Sequence, residues 1–204
     1  MLDARQLVPQ ITALQRSMVE LWHSQEMFNP HRDLLYLVCE EHKFNFLLWH
    51  EEDKARSPDA GDGAIAAVKR AIDRYNQQRN DAIERIDDFL VRMLADRGIA
   101  PTAARLNTET PGGAIDRLSI LALRIYHMRE QADRTDAAPE HVARTFDKLA
   151  ILTVQHHDLS AALGELIEDL VAGRKRLKIY RQFKMYNDPT LNPYLYAANK
   201  RMAG

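Results

Sequence analysis

The sequence predicts an all-α fold, a single bundle of about five long, mostly antiparallel helices with a basic, aromatic C-terminal tail. Three observations carry that expectation. Apolar residues recur at spacings of three and four through five stretches, the period of one helix face. Glycine and proline, eight of each, gather at the few points between those stretches. No period-two alternation is strong enough to suggest a sheet. The 204 residues, 46% apolar and 28% charged, suffice for a real core and exclude a disordered chain.

The first stretch runs from about Pro9 to His23, striped by Ile11, Leu14, Met18 and Leu21, and Asn29-Pro30 breaks it. The second runs from about Asp33, a candidate N-cap, to Arg56, with Leu34, Val38, Phe46 and Trp49 among its apolar positions. Ser57 to Gly63 is a loop. The third, about Ala64 to Arg97, keeps one stripe through Ile65, Val68, Ile72, Tyr75, Ile83, Ile86, Leu90 and Met93, and Gly98 stands where a helix-ending glycine belongs. Ile99 to Gly113, with two prolines and two glycines, reads as a loop able to fold over a cleft. The fourth helix, about Ala114 to Arg134, carries Leu118 to Leu123 (LSILAL), apolar nearly all round, which places it centrally. Pro139 opens a fifth, running to about Ala172 and striped by Phe146, Leu149, Leu152, Leu159, Leu163, Leu166 and Leu170.

Composition shifts after Gly173, which divides a bundle (1–173) from a tail (174–204). The tail carries Arg174, Lys175, Arg176, Lys178, Arg181, Lys184, Lys200 and Arg201 against Asp188, a net +7, leaving −8 for the bundle. The whole chain is at −1, which argues against a nucleic-acid-binding polycation. Cys39 stands alone, excluding an internal disulfide and a cysteine-based zinc site and fitting a reducing, cytoplasmic setting. No run reaches the roughly 18 apolar residues of a transmembrane segment, and the first ten residues lack the apolar core of a secretion signal.

Polar residues that interrupt the stripes are the candidates for function. Continuing the third stripe from Tyr75 lands on Arg79, beside a face formed by Asn76, Asn80, Glu84 and Asp87. A half-buried arginine needs a partner, from Glu84 and Asp87 or from a neighbouring helix. Two readings stay open: a structural polar layer, or a site where Arg79 grips a carboxylate or phosphate. The second helix ends with Trp49, His50, Glu52, Asp53 and Arg56 crowded together; its acids oppose the macrodipole, and His50 with Asp53 at i, i+3 could share a metal ion or act as an acid/base pair. Asp116 and His127 share a face of the fourth helix about 16 Å apart, too far for one ion, with Arg117, Arg124 and Arg129 as cations beside them.

Other patterns test negative. A ferritin-like di-iron site needs two Glu-x-x-His pairs on facing helices, and only Glu20-x-x-His23 is present. There is no phosphate-binding glycine loop or nucleophile elbow. Glu84-x-x-Asp87 opposite Glu52 and Asp53, or Glu165-x-x-Glu168, could imitate the acidic magnesium site of an all-α nucleotide hydrolase. In the tail, Tyr180, Phe183 and Tyr186 interleave with basic residues, a pattern of anion or headgroup binding or of a tail tacked onto the bundle.

Four strings in order, LLWHEEDKAR (Leu47 to Arg56), NQQRNDAIERID (Asn76 to Asp87), IDRLSILALRIYHM (Ile115 to Met128) and QFKMYNDPTLNP (Gln182 to Pro193), resemble the bacterial family catalogued as domain of unknown function 4254. The resemblance covers about residues 10 to 196. It implies a helical fold, an association with genes for glycosyltransferases and cell-envelope polysaccharide, and no established reaction. It also singles out Trp49, His50, Asp53, Asn76, Arg79, Asn80, Asp116, Arg117 and His127.

Three functions follow as expectations. The first is a protein that binds or processes a phosphorylated or nucleotide-linked sugar. Arg79, Arg117 and Lys184 would hold the anion, Asn76 and Asn80 the hydroxyls, and Trp49 a ring, with His50, Asp53 and Glu84 as catalytic candidates. The second is a non-catalytic partner of glycosyltransferases, docking through the tail or an apolar face. The third is a magnesium-dependent nucleotide hydrolase, with magnesium or manganese as the candidate cofactor. Paired long helices also make a homodimer a candidate assembly.

Overall fold

The computed structural model describes residues 3–99, 102–182, 185 and 188–202 and is all-α, with one minimal parallel ladder. Helix α1 spans Ala4–Trp22, starting earlier than the sequence suggests. The Asp3 side chain accepts from the Arg5 backbone N–H at 2.9 Å and caps it. Pro9 lies inside the helix, where it forfeits only one backbone hydrogen bond. Helix α2 spans Asp33–Ala55. Its N-cap is Arg32, and Asp33 instead takes φ +52°, a left-handed conformation that a short polar side chain tolerates. Asn29 organises this break, donating to the Tyr36 carbonyl at 3.0 Å and to Glu40 at 2.9 Å.

Helix α3 (Asp62–Ala95) ends before Gly98, which takes φ +72° as expected of a terminating glycine. The following segment contributes β1 (Arg105–Leu106), and α4 spans Pro111–Ala132. Two side chains cap α4: Thr110 Oγ1 accepts from Gly113 N–H at 3.1 Å, and Asp87 of α3 accepts from Gly112 N–H at 2.7 Å. Burial raises the Asp87 carboxyl above the usual carboxylate range, against the pull of those bonds. Gly112 is needed there, because a Cβ would lie 2.7 Å from the Ile83 carbonyl oxygen and 2.9 Å from Asp87 Cγ. Helix α5 spans Pro139–Val171 with Pro139 in its first turn, and the tail adds β2 (Lys175–Arg176) and α6 (Pro193–Met202).

Helix α4 is central, touching each of α1, α2, α3 and α5. Ile115, Leu118 and Ser119 on it are fully buried, packed with Ile11, Val38, Cys39 and Ile86. The tail is fastened to the bundle by charge. Arg181 forks onto Asp88 at 2.6 Å and Glu84 at 2.9 Å, and Arg174 and Lys175 pair with Asp169. The β1–β2 pairing, Arg105 with Lys175 and Leu106 with Arg176, ties the tail's first residues to the loop before α4. Two residues per strand leave no alternation to read in a sequence. Among the described residues, no helix is long and apolar enough to cross a membrane.

Candidate functional site

The facing surfaces of α2 and α4 would be apolar if packing alone decided them. Instead Glu41, His42 and Asn45 of α2 meet Asp116 and Ser119 of α4, all buried. The Asn45 amide nitrogen reaches three acceptors: Glu41 Oε1, Asp116 Oδ1 at 2.9 Å and Ser119 Oγ at 2.9 Å. Burial, and then the neighbouring Asp116 carboxylate, push the Glu41 carboxyl well above the usual range, which favours its neutral form. Arg79 of α3 balances the Asp116 charge, its Nε 3.4 Å from Asp116 Oδ1. The approach gives no hydrogen bond, which leaves the buried Nε–H unspent. His42, with Nδ1 2.7 Å from Ser119 Oγ, is pushed down to about 3 by burial and stays neutral.

Above this cluster three clefts converge. A 390 Å³ cleft between α2, α3 and α4 is walled by Trp49, Asp53, Arg56, Asn76, Arg79 and Arg124, with Asn45 among its lining residues. A 630 Å³ cleft between α2, α4 and α5 shares Trp49, Asp53 and Arg124 with it and adds His127, Lys148 and Ile151. A third, of 660 Å³, holds Arg117 and again Arg124. Arg124 thus stands at the junction of all three, and among the described residues no acid pairs with it.

At the far end of α2, three imidazoles gather from separate helix segments. His23 ends α1, His50 lies on α2 and His127 on α4, and one ring nitrogen from each lies within 4.8 Å of the others. Ring centroids are 5.1, 5.1 and 5.8 Å apart, with each pair steeply inclined. Aromatic rings wall the group: Tyr126 stacks on His23 at 4.3 Å, Trp49 on His127 at 4.7 Å, and Phe46 meets His50 edge-on at 4.5 Å. Burial, then the neighbouring His23 and His127, lower the basicity of His50.

The family model described as "Protein of unknown function (DUF4254)" matches residues 35–179. The chain belongs to this family. No curated protein and no solved structure matches it.

Of the residues expected from sequence, Trp49, Asp53, Asn76 and Arg79 come together in one cleft wall, with Asp116 held behind Arg79. Arg79 finds its partner on a neighbouring helix and not in Glu84 or Asp87. His50 and His127 belong to the imidazole group, and the Asp53 carboxylate acts on His50 through its charge. Asn80 is partly buried outside the cleft walls, and Arg117 pairs with Glu109 at 2.7 Å beside the third cleft. Glu84 accepts from Arg181 and from the Gln182 backbone N–H, fastening the tail. Lys184 lies outside the described residues. Among the described residues the histidine trio is the one group of three or more side chains with metal-ligand spacing.

Sequence reasoning missed Glu41, His42, Asn45 and His23 and left Arg124 out of the site. The first three had a signal. The stripe begun by Leu34 and Val38 continues through positions 41, 42, 45 and 49, so these polar residues interrupt it as Arg79 interrupts the stripe of α3. For His23 no sequence spacing brings three distant segments together.

Proposed function

We propose that this protein binds a phosphorylated or nucleotide-linked sugar in the connected clefts around Arg124 and supports its processing in cell-envelope glycan biosynthesis. The observation that carries the reading is Arg124, a cation without an acidic partner among the described residues, set where three clefts meet. Arg79, with its unspent Nε–H, and Lys148 add positive charge on either side. Such a constellation suits an anion held by charge-assisted hydrogen bonds. Asn76 supplies a neutral donor and acceptor for hydroxyls, and Trp49, lining the 390 and 630 Å³ clefts, supplies an apolar plane for a sugar or base. Asp53, shared by the same two clefts, is the carboxylate placed to work on the ligand as an acid/base group. The volumes of 390 and 630 Å³ are those of small-molecule sites. The glycan context rests on the family resemblance, and the free, buried Cys39 suits a cytoplasmic location.

Isothermal titration with glucose 1-phosphate, UDP-glucose and unphosphorylated glucose tests this. The phosphorylated compounds should bind and glucose should not. Arg124→Ala should weaken binding by about 10- to 100-fold, the worth of one hydrogen bond to a charged group, with unchanged thermal unfolding. Arg79→Ala is the poorer probe, since it also strands the buried Asp116. Binding indifferent to Arg124→Ala, or none from any phosphorylated sugar, refutes the proposal.

A further inference from the structure

We propose that His23, His50 and His127 form a binding site for one divalent transition-metal ion of the zinc class. In His23 the Nδ1–H donates to the Val19 carbonyl at 2.7 Å, and in His127 the Nδ1–H donates to the Glu130 carboxylate at 2.7 Å. Both acceptors lack a proton to give, so each bond fixes the tautomer and leaves Nε2 with a free lone pair. The Nε2 atoms of His23, His50 and His127 are all buried and make no hydrogen bond. A buried unpaired acceptor costs stability, and although His31, His42 and His141 also hold an unbonded buried Nε2, among the described residues this trio alone gathers three ring nitrogens within reach of one ion. Three such atoms in one aromatic-walled group are the state expected of ligands awaiting an ion. A carboxylate or carbonyl behind a ligating histidine is the usual orienting arrangement at metal centres.

The donor set chooses the metal. Neutral imidazole nitrogens suit zinc, copper, iron or nickel, whereas magnesium and calcium require oxygen. Zinc–nitrogen bonds of about 2.1 Å in tetrahedral geometry put the nitrogens roughly 3.4 Å apart. The present separations reach 4.8 Å, so binding draws the rings together by about an ångström. His23 stands at the C-cap of α1, with a turn following it. Three protein ligands leave a fourth position for water or a ligand oxygen. His127 also lines the 630 Å³ cleft, so the ion would border the same space as Trp49 and Asp53. The inference does not depend on the sugar reading.

Full-length, tag-free protein stripped with a chelator and titrated with Zn²⁺ against a competing chromophoric chelator tests the site, with no sugar present. The expected result is one Zn²⁺ per chain, with Mg²⁺ unable to compete. His23→Gln should abolish stoichiometric uptake. Glu130→Gln, a change at a half-exposed carboxylate that leaves the fold intact, should weaken affinity about 10- to 100-fold. His156→Gln, on α5 outside the group, should leave affinity unchanged. Absence of stoichiometric uptake by the unaltered chain, or uptake that neither His23→Gln nor Glu130→Gln diminishes, overturns the proposal. Failure here leaves sugar binding standing, and failure of sugar binding leaves the metal site standing.

Discussion

Replacing Glu41 by glutamine should stabilise the protein, and increasingly so as pH rises. Glu41 is fully buried beside Asp116, and its carboxyl is raised well above the ordinary value of 4.5. The native chain therefore keeps a proton that the unfolded chain releases above about pH 4.5. Stability from this group is complete below that pH and declines as pH climbs toward the folded-state value. The decline is about 1.4 kcal/mol per pH unit for a single proton. Glutamine has no proton to lose, and its amide preserves both the acceptor for Asn45 and a donor toward Asp116. The difference between Glu41→Gln and the parent should start near zero at pH 4 and grow above pH 4.5 by up to about 1.4 kcal/mol per pH unit until the folded-state value is reached. The parent curve alone conceals the effect, because His42, held neutral with its pKa pushed down to about 3, acts oppositely. Its stability contribution is complete above about pH 6.5 and lost as pH falls. That contribution is common to both proteins and cancels in the difference. Urea unfolding followed by far-UV circular dichroism at a series of pH values measures it. A difference that stays flat across this range, or that falls as pH rises, would show Glu41 to be ionised in the native state and refute the reasoning.

Two further outcomes follow from packing. Gly112→Ala should destabilise the fold by roughly 2–4 kcal/mol, combining overpacking against the Ile83 carbonyl with disruption of the Asp87 cap, and thermal unfolding would show it as a lower midpoint. A midpoint within a degree of the parent would mean that α3 and α4 are less closely packed than described. Cys39, fully buried with its thiol raised to about 12, should resist a thiol-specific chromogenic reagent at pH 8 in the native protein and react fully in denaturant. Rapid labelling of the native chain would contradict its burial.

The five long helices were legible because their stripes and breakers agree, and the central place of α4 because LSILAL offers almost no face to water. Boundaries shifted where a single side chain decides the end, as Asp3 does for α1. The cleft wall was legible in part for one reason: Arg79 sits on an apolar stripe, where only a nearby acid or a ligand justifies it. Its partner was not legible, since a helix expected from about Ala114 puts Asp116 in its first turn, where a carboxylate has a local electrostatic explanation, whereas α4 begins at Pro111. In the sequence Arg124 is one of three cations on the fourth helix, and only tertiary structure sets it where three clefts meet. The histidine trio belongs to no single helix's periodicity, and only tertiary structure assembles it.

The most extensive packing pairs α2 with α3 and α4 with α5, each a hairpin of sequence neighbours. Local hairpins close quickly, before distant segments find one another. Trp49 and Asn76 belong to the first hairpin and Arg124, His127 and Lys148 to the second, so neither hairpin alone owns the two clefts that Trp49 lines. A chain emerging from the ribosome therefore has no site until α4 has been synthesised and docked onto α2. Anything that then occupies the clefts or the imidazoles acts as a clasp between the two halves of the molecule. Its affinity is drawn from the same free energy that holds those halves together.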